Sequence, residues 1–173
     1  MAKRVFFSFH YERDNWRVSQ VRNIGAVAGQ PVLSGNEWEA VKKRGDAAIQ
    51  EWIDNGMKYR PCTVVLIGAK TAGRKWVNYE IDKTWKSGKG LFGIYIHGLK
   101  DRSGKVDRKG ANPFRSITIG NNWLNRRTLD SVVEAYDPAS WFGENSSSDL
   151  YNRIKDNIDD WVETAIAQRK MWG

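Results

Sequence analysis

The sequence predicts an α/β protein with an open, mostly parallel, five-stranded sheet that carries helices on both faces. Short aliphatic segments, too short for buried helices, alternate with longer segments whose apolar residues recur at helical spacing. The clearest aliphatic segments are apolar at consecutive positions, as expected for parallel strands covered on each side. Strands and helices that alternate in this way argue for such a sheet.

The composition fits one globular domain over residues 1–173. A chain of this length can bury a full core, and its 40% hydrophobic content with nine Trp argues against disorder. The formal charge of +8 permits binding to nucleic acid or to an anionic nucleotide. Because the basic residues are scattered and no nucleic-acid-binding motif accompanies them, we expect no nucleic-acid partner.

The sequence also bears on the compartment. It contains neither an apolar run long enough for a membrane span nor the apolar core of a signal peptide at its N-terminus. Its single cysteine, Cys62, cannot form an internal disulfide. We therefore expect a cytoplasmic protein without membrane contact.

The first strand is predicted close to the N-terminus, at residues 4–9, because the segment is apolar on both faces until its end. A helix follows from about Asp14. The glycine-containing loop 25–35 is expected to hold a short edge strand at residues 31–33.

A second helix is predicted from Ser34, since Ser34 and Glu37 have capping-box spacing. Its apolar stripe continues through Gly45 to Ile53, which predicts one uninterrupted helix. A buried strand should follow at residues 64–67.

The next helix should run to about Lys86 with Thr71 or Gly73 as its N-cap, followed by a strand at residues 91–97. The irregular segment 98–130 is long enough to be functional or to carry small elements of its own. A last strand at residues 131–136 precedes a long terminal helix that starts within 145–149. This order favours a flavodoxin-like sheet.

A candidate site lies where the central strands end. Trp76 and Glu80 are four residues apart and share one helical face just past the strand at 64–67, where open α/β sheets bind ligands. Spacing alone favours a solvated glutamate and a tryptophan that packs the helix onto the sheet over a ligand site. At the end of the first strand, Ser8 and His10 occupy a comparable position.

Several site classes are excluded by missing motifs. Neither the dinucleotide-binding glycine fingerprint nor a P-loop occurs, which argues against a Rossmann-type dehydrogenase. His97 has no acid or cysteine nearby in sequence for a metal site. A phosphoacceptor receiver needs acids at the strand ends, where residues 68–70 are Gly-Ala-Lys. We expect no metal.

Two segments carry a family resemblance. Residues 5–11 resemble the opening strand of TIR domains, where an apolar run ends in a small hydroxyl residue and an aromatic. Residues 66–71, followed by Trp76 and Glu80, are similar to the TIR strand–turn–helix with its Trp and glutamate. Further similarities, to the branch typified by the ThsB proteins of the Thoeris anti-phage system, lie in Trp38-Glu39, Lys42-Lys43, residues 76–81 and residues 112–114.

The resemblance covers roughly residues 1–114 and implies an enzyme that consumes NAD⁺. Such proteins cleave nicotinamide from NAD⁺ on phage infection and cyclise the ADP-ribose, and the product activates a separate effector. For this chain it implies Glu80 as the catalytic acid, NAD⁺ as a substrate with no further cofactor, and self-association through TIR surfaces. From their places at a strand end and on neighbouring helices, the residues expected to contact the substrate are Ser8, Phe9, His10, Lys43, Asp46 and Trp76. Core packing fits Phe9 equally well, and a solvated helix face fits Lys43 and Asp46 better than substrate contact.

One carboxylate suits this chemistry. Nicotinamide leaves as a neutral base, so no general acid is needed, whereas the oxocarbenium-like ribose is stabilised by a nearby ionised acid. A water acceptor would give linear ADP-ribose and an acceptor within the same molecule a cyclic product, and the sequence leaves both open. The alternative function is a non-catalytic TIR-like scaffold that signals by self-association through the loop 25–36.

Overall fold

The computed structural model describes residues 2–140 and 145–172. Seven strands and five helices make up the regular structure of these residues. In chain order they are β1 (Lys3–Ser8), α1 (Tyr11–Arg22), β2 (Val27–Ala28), α2 (Gly35–Lys43), α3 (Asp46–Met57), β3 (Cys62–Ile67), α4 (Lys75–Lys86), β4 (Gly90–Tyr95), β5 (Thr118–Ile119), β6 (Arg127–Thr128), β7 (Ala135–Tyr136) and α5 (Ser147–Lys170).

The main sheet has the order β2-β1-β3-β4-β7, with every neighbouring pair parallel. The predicted five-stranded, flavodoxin-like α/β fold is therefore confirmed. The chain passes from β1 to β2 on one side and then to β3 on the other. The carboxyl ends of β1 and β3 thus flank the point where the strand order reverses, which is where such sheets form a crevice.

Consecutive residues of β3 point to opposite faces, so each face of the sheet has its own core. Val64 and Leu66 pack with α1 and α5 on one face, where Ile154 and Ile158 of α5 are fully buried. Val65 and Ile67 pack with α4 on the other face. Phe6 of β1 reaches a third cluster formed with α2 and α3. Helices on both faces explain why β3 and β4 are buried along their whole length.

The edge strand lies at Val27–Ala28, so its prediction at residues 31–33 is wrong. The buried Gln30 explains the difference. Its side-chain amide accepts a hydrogen bond from Phe7 N and donates one to Phe7 O, both at 2.8 Å. One side chain thus supplies the two bonds that a longer edge strand would have made. Residues 31–33 leave the sheet, and Val32 is 65% exposed.

The predicted single helix from Ser34 to Ile53 is also wrong, because it is divided at Gly45. Gly45 has φ +94°, a conformation that favours glycine and ends the helical path. The predicted start is confirmed, since Ser34 Oγ accepts from Glu37 N at 3.2 Å and Ser34 N donates to Glu37 Oε2 at 2.6 Å. The break lets α2 and α3 take separate directions.

Smaller differences concern element ends. The N-cap of α4 is Arg74, whereas Thr71 Oγ1 accepts a hydrogen bond from Gly68 N and closes the preceding turn. The last strand is confined to Ala135–Tyr136, because Leu129–Ser131 forms a short 3₁₀ turn. The long segment before it carries the antiparallel hairpin β5–β6. None of the helices in the described ranges is long and apolar enough to cross a membrane.

The close approach of α5 to β4 gives a test of the packing. A Cβ on Gly90 would lie 2.8 Å from Ile166 N and 3.1 Å from Ala165 C, both backbone atoms. We expect Gly90→Ala to lower the free energy of unfolding by about 1–3 kcal/mol, measured by urea denaturation. The matched control is Gly35→Ala, where a Cβ meets nothing within 4 Å. Equal stability of the two variants would contradict this packing.

Candidate functional site

A cavity of about 870 Å³ opens at the carboxyl ends of β1 and β3. Its volume lies in the range of about 300–1,000 Å³ that is usual for small-molecule and cofactor sites. Its walls are formed by the segment after β1, by α1 and α2, by residues 30–34 and by the start of α4 with the turn before it. The displaced segment 31–33 is therefore part of the site.

Glu80 is a buried carboxyl in the wall of this cavity. It lies on α4, one turn after Trp76, and only 7% of the residue is exposed. Burial raises the pKa of Glu80 to about 8, because water no longer solvates the charged form. Its Oε2 has no hydrogen-bond partner among the described residues. A positive charge that comes near such a buried carboxyl lowers its pKa and favours the ionised form.

Ser8 ends β1 and lies beside Glu80. It is fully buried and is absent from the described residues that line the cavity. Its hydroxyl is close enough to the carboxyl to lower the pKa of Glu80, which partly offsets the effect of burial. Ser8 Oγ forms no hydrogen bond with the described residues. Ser8 thus lies beside Glu80 and outside the described lining of the cavity, and its predicted contact with a substrate stays a prediction.

Phe9 and His10 follow β1, and both line the cavity. Phe9 is partly buried against the core that contains α1 and α5. Burial lowers the pKa of His10, and the nearby Arg74 lowers it further. The imidazole is therefore neutral at pH 7 and offers a hydrogen-bonding group without a charge.

Trp76 lines the cavity and is also packed by its neighbours. Its ring meets that of Tyr79 edge-on, with centroids 5.7 Å apart, and Lys75 Nζ lies 4.9 Å from its centroid. It belongs to the partly buried residues around the cluster of α2 and α3. Trp76 can therefore pack against its neighbours and contact a ligand in the cavity at the same time.

Lys43 and Asp46, two further predicted contacts, lie outside the described lining of the cavity and are exposed. Lys42 lines the cavity instead, with Nζ 3.2 Å from Glu12 Oε1. Asp46 pairs with Lys75 at the cavity rim. Any direct role of Lys43 and Asp46 in binding remains a prediction.

The basic character of the cavity was not predicted from the sequence. Lys70 and Arg74 line the cavity from the turn between β3 and α4. Basic residues directly after a central strand are the sequence feature that could have indicated this. The described lining contains six basic side chains against two acidic ones, Glu12 and Glu80. Such a balance favours an anionic ligand. The basic lining residues are Arg22, Lys42, Lys70, Arg74, Lys75 and Arg102.

A row of aromatic rings in the cavity wall was also not predicted from the sequence. Ring centroids lie 6.2 Å apart for Phe9 and Tyr11, 6.2 Å for Tyr11 and Trp38, and 5.9 Å for Trp38 and Trp52. The Tyr11 hydroxyl donates to Leu33 O at 3.0 Å and holds the displaced segment in place. In the sequence, Trp38 belongs to the apolar stripe of a predicted helix, which indicated only that it packs in the core. These rings form an apolar wall suited to a planar ligand group.

The arrangement suits one kind of chemistry. Cations near the turn before α4 can hold phosphate groups, and the aromatic wall can hold a base. The buried Glu80 carboxylate can then stabilise a positive charge that develops on a sugar. Within residues 2–140 and 145–172, no three His, Cys, Asp or Glu side chains are grouped to hold a metal ion.

Comparison with known proteins assigns the family. Residues 6–101 match the model of the Thoeris protein ThsB, TIR-like domain. The chain is also 42% identical over 119 residues to a Bacillus cereus (strain MSX-D12) protein named "Putative cyclic ADP-D-ribose synthase ThsB1". That alignment covers 66% of this chain and 62% of the relative, so the chain spans less than two thirds of the relative's length. Since the family model matches more than half of the chain, the protein belongs to the ThsB family of TIR-like domains.

Proposed function

We propose that the protein cleaves nicotinamide from NAD⁺ and cyclises the remaining ADP-ribose. The observation that carries this proposal is the buried Glu80 carboxyl in a cavity that combines basic and aromatic walls. The name of the Bacillus cereus relative, a cyclic ADP-D-ribose synthase, supports the same reaction class. NAD⁺ acts as the substrate, and no cofactor or metal takes part.

Substrate binding prepares the acid. Burial raises the pKa of Glu80 to about 8, so the carboxyl is largely protonated at pH 7. The pyridinium ring of NAD⁺ carries a positive charge, which favours the ionised carboxylate and lowers its pKa. Binding of NAD⁺ thus increases the fraction of Glu80 that carries the negative charge required for the reaction.

Bond cleavage needs no proton donor. The electron pair of the C1–N glycosidic bond leaves with nicotinamide, which departs as a neutral base. The positive charge moves to the ribose, and ionised Glu80 stabilises it electrostatically. Attack on C1 by a hydroxyl or ring nitrogen of the same molecule then gives a cyclic product, whereas attack by water gives linear ADP-ribose. An attacking hydroxyl or water releases its proton to solvent, and a ring nitrogen releases none.

The walls of the cavity hold the rest of the substrate. Lys70 and Arg74 bind the pyrophosphate through charge-assisted hydrogen bonds. A base stacks on the aromatic wall that includes Tyr11 and Trp38. Phe9 and Trp76 enclose the reacting end beside Glu80.

We further propose that the cyclic product is a diffusible signal that activates a separate effector in anti-phage defence, and that the protein self-associates through TIR surfaces. The alternative, a non-catalytic scaffold that uses the loop 25–36, is disfavoured because residues 30–34 of that loop line the cavity. Lack of NAD⁺ turnover by the purified protein, with and without an infected-cell extract, would favour the scaffold.

Glu80→Gln tests the catalytic assignment. We expect nicotinamide release from NAD⁺ to fall by at least about 100-fold, because the amide cannot carry the negative charge that stabilises the ribose cation. In the parent protein, release should rise with pH as Glu80 ionises. The measurement is nicotinamide formation by chromatography. The matched control is Glu51→Gln, an exposed acid on α3, which should leave the rate unchanged. Release at the parent rate in Glu80→Gln would remove the assignment.

Arg74→Gln tests the phosphate-binding role. Loss of a charge-assisted hydrogen bond should raise KM for NAD⁺ about 10-fold and change kcat less, because binding and not bond cleavage is affected. Initial rates over a range of NAD⁺ concentrations give both constants. Lys155→Gln, an exposed change of the same charge on α5, serves as the control. An unchanged KM in Arg74→Gln would place the pyrophosphate elsewhere.

A further inference from the structure

We propose that Ser8 is a positioning residue that donates a hydrogen bond to the ionised Glu80 carboxylate and thereby fixes its orientation. This inference rests on the proposed function and changes the role expected for Ser8. The sequence placed Ser8 among the substrate contacts, since it ends the first strand. In the structure Ser8 is fully buried and is not among the described residues that line the cavity.

The backbone fixes where the Ser8 hydroxyl lies. Ser8 is the last residue of β1 and pairs with Val65 in the parallel ladder to β3. Two residues before Val65, Thr63 Oγ1 accepts a hydrogen bond from Thr84 Oγ1 of α4 at 2.7 Å, so α4 covers this face of the sheet. Thr84 follows Glu80 by one helical turn, which places Ser8 and Glu80 on the facing surfaces of β1 and α4. The residue is fully buried and does not contribute to the described lining of the cavity. A ligand in the cavity therefore meets Glu80 while Ser8 supports the carboxyl from within the protein.

The hydrogen-bonding state of the two side chains leaves both free to pair with each other. Ser8 Oγ and Glu80 Oε2 are both buried, and neither has a partner among the described residues. A buried hydroxyl and a buried carboxyl oxygen are rarely left without partners. Once Glu80 loses its proton, both oxygens become acceptors, and the Ser8 hydroxyl can donate a charge-assisted hydrogen bond.

No charged side chain replaces Ser8 in this role. Burial and the Ser8 hydroxyl account for the shifted pKa of Glu80, and no ionic partner contributes. Asp54 on α3 is already paired with Lys83 at 3.1 Å and accepts a hydrogen bond from Tyr79. The other titratable or charged side chains that line the cavity are His10, Tyr11, Glu12, Arg22, Lys42, Lys70, Arg74, Lys75 and Arg102.

The test is the pH profile of nicotinamide release. Removing a donor that favours the carboxylate must raise the pKa of Glu80, so Ser8→Ala should move the acid-side midpoint up by about one pH unit. Ser8→Thr keeps a hydroxyl and should restore the midpoint. Thr63→Val, which removes a buried hydroxyl from the neighbouring strand β3, should leave it unchanged.

A second readout does not depend on activity. The pKa of Glu80 can be followed by ¹³C NMR of labelled glutamate carboxyls, with Glu80→Gln to assign the signal. Ser8→Cys, which is close to serine in size and a weak donor, covers the case in which Ser8→Ala fails to fold. An upward shift in either variant supports the inference.

The outcomes separate the two proposals. If the parent protein releases nicotinamide and Ser8→Ala lowers the rate equally at every pH, with the Glu80 pKa unmoved, Ser8 has only a structural role and the inference is overturned. If the parent protein releases no nicotinamide, the proposed function fails. The NMR titration then still decides whether Ser8 favours the Glu80 carboxylate.

Discussion

The structure depends on keeping one carboxyl out of water where β1 and α4 meet. Glu80 ionises near its ordinary value of 4.5 in the unfolded chain and near 8 in the folded protein. Between these values the unfolded chain has lost a proton that the folded protein retains, so stability falls as pH rises. The accumulated loss is on the order of a few kcal/mol above the folded pKa, at about 1.4 kcal/mol for each pKa unit. A cost of this size is expected at a functional site rather than in an ordinary core.

The fold surrounds this carboxyl by local departures from regular structure. The Gln30 amide replaces part of an edge strand and frees residues 31–33, while Gly45 separates α2 from α3. Tyr11 then fastens the freed segment through Leu33 O. Gln30 and the freed segment line the cavity, and Gly45 joins two helices that each contribute lining residues. Regular elements provide the rigid sheet, and the irregular ones shape the binding site.

The sequence predicted most of the fold because strands and caps leave local signals. The strand at residues 64–67 and the Ser34 capping box could be recognised from neighbouring residues alone. The role of Gln30 could not, since its hydrogen bonds reach Phe7, 23 residues away. Long-range contacts likewise limit what the sequence reveals of the candidate site. Family resemblance singled out Glu80, whereas the burial that shifts its pKa arises from long-range packing that a sequence pattern does not reveal.

The central claim is that Glu80 acts on the nicotinamide-bearing ribose of NAD⁺. A crystal structure of Glu80→Gln soaked with NAD⁺ would test it most directly, since the variant should bind substrate without cleaving it. We expect C1 of that ribose within about 3.5 Å of the residue 80 side chain, with the pyrophosphate against Lys70 and Arg74. NAD⁺ bound with its nicotinamide ribose away from residue 80, or bound outside this cavity, would contradict the account.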